Sequence, residues 1–471
     1  MNTIQKKKKR QRNIRCMMEI RMVKMLNVML VILPFMISWF VYYRAHVCGS
    51  TSLIRSFGMM VIFTSLYCMY GRIYDAFLMS HRRVTEVFVG QLLAVIMTDV
   101  SILFIMSVIC GKIIHVLPML SAFTLQFVFS LGWAKLASKW FFGRFEKQKT
   151  AVIYDERPNM QELFIRYGMD RKYDVRTICS VEECLANDMK ALEGVDAVFL
   201  GGVHSHERNI ILKYCVSNSI DTYIIPRIGD VIMSGAQQMH MFHLPILRAR
   251  RYTPRIEFVI VKRLIDIIVS LMGIVVLSPV MLATAIAIKA HDGGPAIYKQ
   301  VRLTKNGKEF EILKFRSMRI DAEKDGVARL SSGDHDDRIT PIGHIIRKYR
   351  LDELPQLFNI LSGDMSIVGP RPERPEIAAQ YEQEIPEFAL RLQATAGLTG
   401  YAQVYGKYNT DPYDKLEMDL TYIANPSIWE DLKIMLFTVY TLFAKESTEG
   451  VDANQVTALS RETENNSEQP A

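Results

Sequence analysis

Long apolar runs separated by short basic segments fill the first third of the chain. Four of them are candidates to cross a bilayer as helices: Met25–Tyr43, Ser56–Gly71, Val87–Gly111 and Ile113–Ala134. Lysine and arginine crowd the N-terminus, the second loop and the segment after the fourth run, but are sparse in the first and third loops. The pattern predicts a basic cytoplasmic N-terminus (1–24) and four transmembrane helices (25–134) with both ends in the cytoplasm.

A single acid, Asp99, interrupts the third apolar run. A carboxylate in hydrocarbon is costly and is usually kept for a function. The alternative is a hydrogen bond between helices. The sequence leaves both interpretations open.

Short apolar runs alternate with helical segments between residues 150 and 228. Four of the runs are typical of buried strands, so we expect a small parallel sheet: 151–155, 173–178, 196–200 and 221–225. The helical segments include Met160–Tyr167 and Glu207–Ser217. A dinucleotide-binding unit needs glycines after its first strand, but here that turn reads Asp155-Glu-Arg-Pro-Asn159. We interpret this module as a degenerate Rossmann-like domain that is nonbinding or regulatory.

Two histidines, His204 and His206, follow one of these strands. They are either a metal-binding pair or ordinary polar surface, and the sequence contains no nearby cysteine to favour a metal. The seven cysteines form no Cys-x-x-Cys pair, which argues against a disulfide framework or a zinc site.

A further apolar run, Ile267–Ile288, has Lys262 and Arg263 before it and Lys289 after it. Ser278 and Pro279 lie at its centre, where proline removes a helix hydrogen bond and favours a kink. A straight span would put the two soluble parts on opposite sides of the membrane. Cations at both ends favour a re-entrant helix over 264–288. The polar tail 445–471 is typical of disorder.

The net charge of +8 comes from basic residues that lie beside apolar segments. This placement indicates an anionic membrane surface and not nucleic acid, which would need a basic, aromatic-laced soluble face.

Candidate chemistry concentrates between Arg347 and Pro372. Adjacent acids, Asp352 and Glu353, stand among cations, and a Pro370-Arg371-Pro372 segment follows a short apolar run. Fixed negative and positive groups suit a phosphate ester together with a divalent cation.

The region from 262 to 443 carries an ordered set of motifs that resembles the bacterial sugar transferases. These are polyprenyl-phosphate hexose-1-phosphate transferases that start exopolysaccharide, capsule or O-antigen synthesis. The motifs are Lys262-Arg-Leu-Ile-Asp266, Ser278-Pro279, Gly294-Pro-Ala-Ile-Tyr-Lys-Gln300-Val-Arg302, Gly307-Lys-Glu-Phe310, Lys314-Phe-Arg316-Ser-Met318, Leu351-Asp-Glu-Leu-Pro-Gln356, Gly363-Asp-Met-Ser-Ile-Val-Gly-Pro-Arg-Pro372, Gly397-Leu-Thr-Gly400, Asp419-Leu-Thr-Tyr422-Ile423 and Asp431-Leu-Lys433. The four N-terminal helices and the α/β module also fit the long form of this family.

Three positions depart from the family pattern. Thr304 stands where a glycine is usual, His344 replaces a common arginine, and Ala396 replaces the proline that usually precedes Gly-Leu-Thr-Gly.

The resemblance implies a fold and a reaction. The fold would be a membrane protein of α plus α/β type, with a C-terminal monotopic catalytic domain (262–443) that holds the re-entrant helix. The reaction would move a sugar 1-phosphate from a UDP-sugar to undecaprenyl phosphate and release UMP, through a covalent phosphosugar on Asp352. Subfamily resemblance suggests glucose or galactose as the sugar.

The resemblance also implies roles for individual residues. Glu353 would bind Mg²⁺, and Arg371, next to Pro370, would grip the donor phosphate unless it is only a structural turn arginine. The other expected substrate-binding residues, several of which a solvated basic face explains equally well, are Gln300, Arg302, Lys314, Arg316 and Arg350. We expect the bacterial inner membrane as location, with the catalytic domain on its cytoplasmic face. Expected partners are a second copy of the chain and downstream glycosyltransferases.

Two other classes of protein are alternatives to a sugar transferase. A membrane-anchored nucleotide-sugar dehydratase or epimerase needs a glycine-rich dinucleotide loop and a Tyr-x-x-x-Lys pair, and none of the 20 tyrosines has lysine four residues later. A non-enzymatic membrane scaffold would be indifferent to substitution of Asp352 and Glu353.

Overall fold

A computed structural model describes residues 3–47, 53–155, 164–165, 168–320, 322, 336–406 and 411–442, with side chains from Cys16 onward. The chain divides into two compact units, Met1–Ile225 and Pro226–Ala471. The predicted disordered tail and most of the predicted helix Met160–Tyr167 lie outside the described residues.

Four long helices open the first unit. They are α1 (Thr3–Ser38), α2 (Leu53–Ile73), α3 (Val84–Cys110) and α4 (Leu117–Arg144). A π-helical turn, Trp39–Tyr43, extends α1. These apolar helices confirm the membrane character predicted for this region. Large apolar side chains are exposed on the outside, whereas the buried interior contains polar residues, among them Asn27, Gln91, Asp99, Gln126 and Ser130.

The fourth helix differs from the predicted run Ile113–Ala134. It begins at Leu117, since Pro118 fits the first turn of a helix, and it continues to Arg144. The exposed cations Lys135 and Lys139 do not end it, because buried residues keep recurring on the opposite face up to Phe141.

The α/β module follows with four strands in a parallel sheet, as the sequence predicts. They are β1 (Gln148–Tyr154), β2 (Tyr173–Ser180), β3 (Ala197–Gly201) and β4 (Asp221–Ile224), in the order β2-β1-β3-β4. The helices are α5 (Val181–Ala186) and α6 (Ser205–Asn218). At the carboxyl ends of β1 and β3, His204 Nδ1 lies 2.7 Å from Asp155 Oδ2, so this histidine pairs with an acid.

The second unit combines one long apolar helix with short helices and small sheets. Its elements are α7 (Ile228–Ser234), β5 (Gln237–Met241), β6 (Leu244–Arg248), α8 (Ile256–Asp292), β7 (Ile297–Leu303), β8 (Glu309–Phe315), α9 (Pro341–Lys348), α10 (Gln356–Ser362), β9 (Ser366–Val368), α11 (Pro375–Glu384), β10 (Gly397–Thr399), α12 (Tyr401–Tyr405), α13 (Pro412–Ala424) and α14 (Ile428–Leu442). Strands β5 and β6, and β7 and β8, pair antiparallel, whereas β9 and β10 pair parallel.

Helix α8 has a reversed distribution of polar and apolar side chains. Its buried residues are Asp266, Ser270, Thr284 and Ile288, three of which are polar, while most of its large apolar residues are exposed. Together with the four N-terminal helices, it makes five described helices that are long and apolar enough to cross a membrane. A surface of this kind is suited to lipid and not to water.

The helix runs without interruption through Pro279. Proline lacks the N–H that would bond to the carbonyl of Val275, four residues earlier. The hydroxyl of Ser278 donates to that same carbonyl at 2.8 Å. Ser278 therefore restores the hydrogen bond that its neighbour removes, which hydrocarbon surroundings require.

Polar contacts anchor the first turns of α8 to the rest of the unit. Lys262 Nζ donates to the Val368 carbonyl at 2.9 Å and to Asp431 Oδ2 at 2.7 Å. The Tyr422 hydroxyl donates to the other oxygen of Asp431 at 2.7 Å. Asp266 accepts the backbone N–H of Ile367 at 2.9 Å. Residues from four separate motifs thus hold one another in place beside β9.

Candidate active site

A tight turn presents the two adjacent acids. Asp352 and Glu353 lie in a single 3₁₀ turn, Leu351–Glu353, entered through Arg350 at a positive φ of 55°. Successive side chains on such a turn point about 120° apart, compared with about 100° on an α-helix. The two carboxylates therefore face different neighbours.

Glu353 faces arginine. Its Oε1 accepts from Arg371 Nη2 at 2.9 Å, and Arg350 Nη1 lies 3.7 Å from the same oxygen. Burial alone would raise the pKa of Glu353, but Arg371, Lys314 and Arg350 outweigh burial and lower that pKa. Glu353 is therefore a carboxylate at neutral pH.

The surroundings of Asp352 raise its pKa, in contrast to those of Glu353. Burial, followed by the charge of Glu353, raises its pKa to about 6, against the opposing effect of Lys314 and Arg347. Among the described residues, no group hydrogen-bonds to its buried Oδ1. An unbonded, partly desolvated carboxylate oxygen is a competent nucleophile for phosphorus.

Lys314, on β8, is a cation of the site that is not paired with any described acid. It is partly buried, and no acid among the described residues lies within ion-pairing distance of it. Burial and the nearby Arg371 lower its pKa to about 8, although Glu353 and Asp352 act in the opposite direction. A cation held near two acids without pairing to either is placed to meet an incoming phosphate.

The Pro370-Arg371-Pro372 segment is fixed through its backbone carbonyls. Arg302 Nη1 donates to the Pro372 carbonyl at 3.1 Å, while its Nη2 donates to Gln300 Oε1 at 2.7 Å. Arg391 Nη2 donates to the Arg371 carbonyl at 3.0 Å. Arg302 therefore fixes the backbone next to Arg371, and Gln300 holds the Arg302 side chain in place.

Arg391 is a site residue that sequence reasoning missed. It is buried and donates to Asp419 Oδ2 at 3.0 Å and 2.6 Å through Nε and Nη2. A lone arginine in a helical Leu-Arg-Leu run carries no local signal of this role. Its only sequence trace is the partner, Asp419, in a family motif.

Three predicted residues, Arg316, Ser278 and Pro279, have no described contact with the acids. Arg316 is buried and paired with Asp292 at the end of α8, and the structure shows no contact between it and Asp352 or Glu353. Ser278 and Pro279 lie in the middle of α8. The structure therefore brings together Asp352, Glu353, Lys314, Arg350 and Arg371, with Arg302, Gln300 and Pro370 supporting them.

A divalent cation fits this donor set. Mg²⁺ takes oxygen ligands and usually keeps one or two protein carboxylates, with substrate phosphates and water completing its shell. Glu353 supplies a carboxylate, one oxygen of which is bonded to Arg371. The described residues contain no group of three or more acidic, histidine or cysteine side chains suited to a metal.

Comparison with known proteins assigns the family. Residues 257–445 match the bacterial sugar transferase family. A Bacillus subtilis protein named as a putative undecaprenyl-phosphate N-acetylgalactosaminyl 1-phosphate transferase is 46% identical over 158 residues, 34% of this chain and 83% of that protein. The chain belongs to the bacterial sugar transferase family.

Two further relatives are named as transferases of different sugars. The Caulobacter vibrioides UDP-glucose:undecaprenyl-phosphate glucose-1-phosphate transferase is 40% identical over 199 residues, 41% of this chain and 74% of that protein. An Aeromonas hydrophila transferase named for UDP-N-acetylgalactosamine is 38% identical over 234 residues, 49% of this chain and 54% of that protein. The match thus spans about half the length of the Aeromonas transferase.

Two of the departures from the family pattern contact each other. The Thr304 hydroxyl accepts the backbone N–H of Ala396 at 3.2 Å and donates to the Asp364 carbonyl at 2.9 Å. The usual glycine has no hydroxyl, and the usual proline has no N–H. In this sugar transferase the two replacements therefore form one buried hydrogen bond, next to the Gly397 N–H that bonds the Pro370 carbonyl.

We predict that the two replacements are energetically coupled. Thr304→Val leaves the buried N–H of Ala396 unbonded, at a cost of about 1–3 kcal/mol. In an Ala396→Pro background no such N–H exists, so the same substitution costs less. The measurement is the unfolding midpoint of the four proteins of this double-mutant cycle. Thr399→Val, which removes a buried hydroxyl bonded to Thr438, should lower the midpoint equally in both backgrounds. Strict additivity for Thr304→Val would contradict the coupling.

Proposed function

We propose that the protein transfers a sugar 1-phosphate from a UDP-sugar to undecaprenyl phosphate, giving undecaprenyl-diphosphate-sugar and UMP. The observation that carries this proposal is the split pair of acids, in which Arg371 pairs with Glu353 while Asp352 keeps an unbonded, buried oxygen. The names of the relatives support the same reaction class. Such a step would begin exopolysaccharide, capsule or O-antigen synthesis.

The reaction proceeds by two displacements at the β-phosphorus of the donor. In the first, an Asp352 oxygen forms a bond to that phosphorus, and the bond to the oxygen bridging the α- and β-phosphates breaks. UMP leaves with the bonding electrons. In the second, an oxygen of undecaprenyl phosphate attacks the same phosphorus and Asp352 leaves as a carboxylate. A carboxylate needs no general base to attack, which suits a site whose neighbours are cations.

The cations of the site have separate tasks in this scheme. Lys314, unpaired with any described acid, meets the donor phosphates, and Arg371 adds a guanidinium whose position its backbone contacts fix. Arg350 precedes the 3₁₀ turn that contains the acids, and its Nη1 lies 3.7 Å from Glu353 Oε1, at the edge of the cluster of cations. These charges offset the repulsion between two acids and a diphosphate.

We infer that Glu353 would hold Mg²⁺, which would supply charge neutralisation at the diphosphate. Chelation with EDTA is therefore expected to stop UMP release, and added Mg²⁺ should restore it. Turnover that continues undiminished in EDTA would remove the metal role of Glu353.

The first prediction for the nucleophile concerns Asp352→Asn. The amide cannot form the covalent intermediate, so UMP release should fall by roughly a thousandfold or more. Mass spectrometry of wild type incubated with donor alone should show a sugar phosphate on the peptide containing Asp352. Asp364→Asn, a control on a carboxylate paired with Lys308, should retain both activity and labelling. Full activity of Asp352→Asn would exclude this nucleophile.

The pKa values predict a bell-shaped pH dependence for UMP release in the absence of acceptor. Because the pKa of Asp352 is raised to about 6, the carboxylate is lost as pH falls through that value, and the rate falls with it. Because the pKa of Lys314 is lowered to about 8, its charge is lost as pH rises further. Lys314→Met removes a cation that favours ionised Asp352, so the acid limb should move to higher pH and the alkaline limb should disappear. A flat profile between pH 5 and 9 would contradict both assignments.

We also propose that α8 enters and leaves the membrane on one side. A 37-residue helix is about 55 Å long, yet the same compact unit contacts it near both ends. Asp266 bonds to Ile367 near its start, and Ile288 packs against Phe315 near its end. Between these two contacts, Gly273 packs closely against Leu357, since a Cβ atom on Gly273 would lie 3.2 Å from the Leu357 side chain. The helix therefore runs along its unit, which supports a re-entrant arrangement.

Cysteine accessibility tests this arrangement. In a cysteine-free background, Glu257→Cys and His291→Cys place thiols at the two exposed ends of α8. An impermeant maleimide should label both in inverted vesicles and neither in intact spheroplasts. Lys112→Cys, in the third loop, should show the opposite pattern and serves as the control. Labelling of the two ends of α8 from opposite sides would establish a full span.

The remaining predictions follow from this topology. Four N-terminal spans with cytoplasmic ends would place the catalytic domain on the cytoplasmic face of the inner membrane. A homodimer and contacts with downstream glycosyltransferases stay predictions. The relatives named above act on glucose or on N-acetylgalactosamine, so a panel of UDP-sugars is the direct way to identify the donor.

A further inference from the structure

The interior of the N-terminal helical bundle contains a carboxylate without a partner. Asp99, on α3, is only 5% exposed, and neither of its oxygens has a hydrogen-bond partner among the described residues. The described part of the bundle also offers it no ion pair. A carboxylate inside a membrane bundle is expected to face a partner or a ligand.

The described polar groups near Asp99 donate their hydrogen bonds to other partners. Gln126, on α4, is close enough to interact with the carboxylate of Asp99, although the geometry between them is poor for a hydrogen bond. The amide nitrogen of Gln126 donates to the Val31 carbonyl at 3.1 Å, which fixes the orientation of the amide, and its Oε1 is buried and unbonded. The Tyr43 hydroxyl lies near Asp99, but it already donates a hydrogen bond to the His115 carbonyl at 2.8 Å.

One helical turn from Gln126, the interior continues to be polar. Ser130 is fully buried and its hydroxyl has no partner among the described residues. Asn27, one turn from Val31 on α1, accepts from Tyr67 at 2.7 Å, but its side-chain nitrogen is unbonded. Buried polar groups are almost always satisfied, so the unbonded oxygens of the neighbouring Asp99 and Gln126 favour a bound species between them.

We propose that Asp99 and Gln126 form a binding site for an alkali-metal cation inside the bundle. The three unbonded oxygens of these two residues are all acceptors, two on Asp99 and one on Gln126. A proton on Asp99 could be donated to Gln126 Oε1 and would leave one of the three oxygens unbonded, whereas a cation coordinates all three at once and neutralises the carboxylate.

The test uses the full-length protein in nanodiscs and the thermal unfolding midpoint read from tryptophan fluorescence. Three of the four tryptophans, Trp39, Trp133 and Trp140, lie in the bundle helices and report on it. Titration with NaCl or KCl against choline chloride, at constant ionic strength and pH, should raise the midpoint saturably. Asp99→Asn, which keeps the size of the side chain, should abolish this rise while UMP release persists.

A matched pair of variants separates binding from general polarity. Gln126→Leu should raise the half-saturating cation concentration at least tenfold. Gln91→Leu makes the same change on α3 at a buried glutamine bonded to the Ala76 carbonyl, and should leave the cation response unchanged. The proposal is overturned if Asp99→Asn responds to alkali ions like wild type. A midpoint that depends on pH but not on alkali ions would also overturn it, and would assign Asp99 a proton only.

Discussion

The ion pair between Glu353 and Arg371 is the contact on which the candidate active site depends. Two neighbouring carboxylates repel each other, and both repel a diphosphate. Pairing Glu353 with arginine lowers its pKa, whereas burial and the charge of Glu353 raise the pKa of Asp352. Two residues adjacent in sequence thereby acquire different chemistry, which is the usual sign that they have different roles.

That pair is effective only because Arg371 is held in place. Its carbonyl is bonded to Arg391, which is itself neutralised by the buried Asp419. On the other side, Arg302 holds the next carbonyl of the segment and is in turn held by Gln300. Removing one member of a buried pair such as Arg391 and Asp419 leaves an uncompensated charge, at a cost of about 3–5 kcal/mol. The proline-flanked arginine is therefore the end of a chain of buried contacts.

Much of this architecture was predictable from local pattern. Apolar length and basic loops indicated the N-terminal helices, and alternating short runs indicated the parallel sheet, because both depend on periodicity within one segment. The acids and Arg371 were recognisable as a set because they share a motif-rich region. The support by Arg302 and Arg391 was not predictable, because their side chains are 70 and 20 residues away from the carbonyls they bind. The same reason hides the bond between Thr304 and Ala396.

One physical rule connects the two membrane-facing parts of the chain. Polar groups in hydrocarbon need partners within the protein, because no water is available to them. Helix α8 obeys the rule: Ser278 bonds the carbonyl that Pro279 leaves free, and Asp266 caps a backbone N–H. The N-terminal bundle departs from the rule at Asp99 and Gln126. A bundle that only anchored the enzyme would have no reason to keep such a departure, since an apolar residue would pack at lower cost. The exception therefore argues that the bundle binds something.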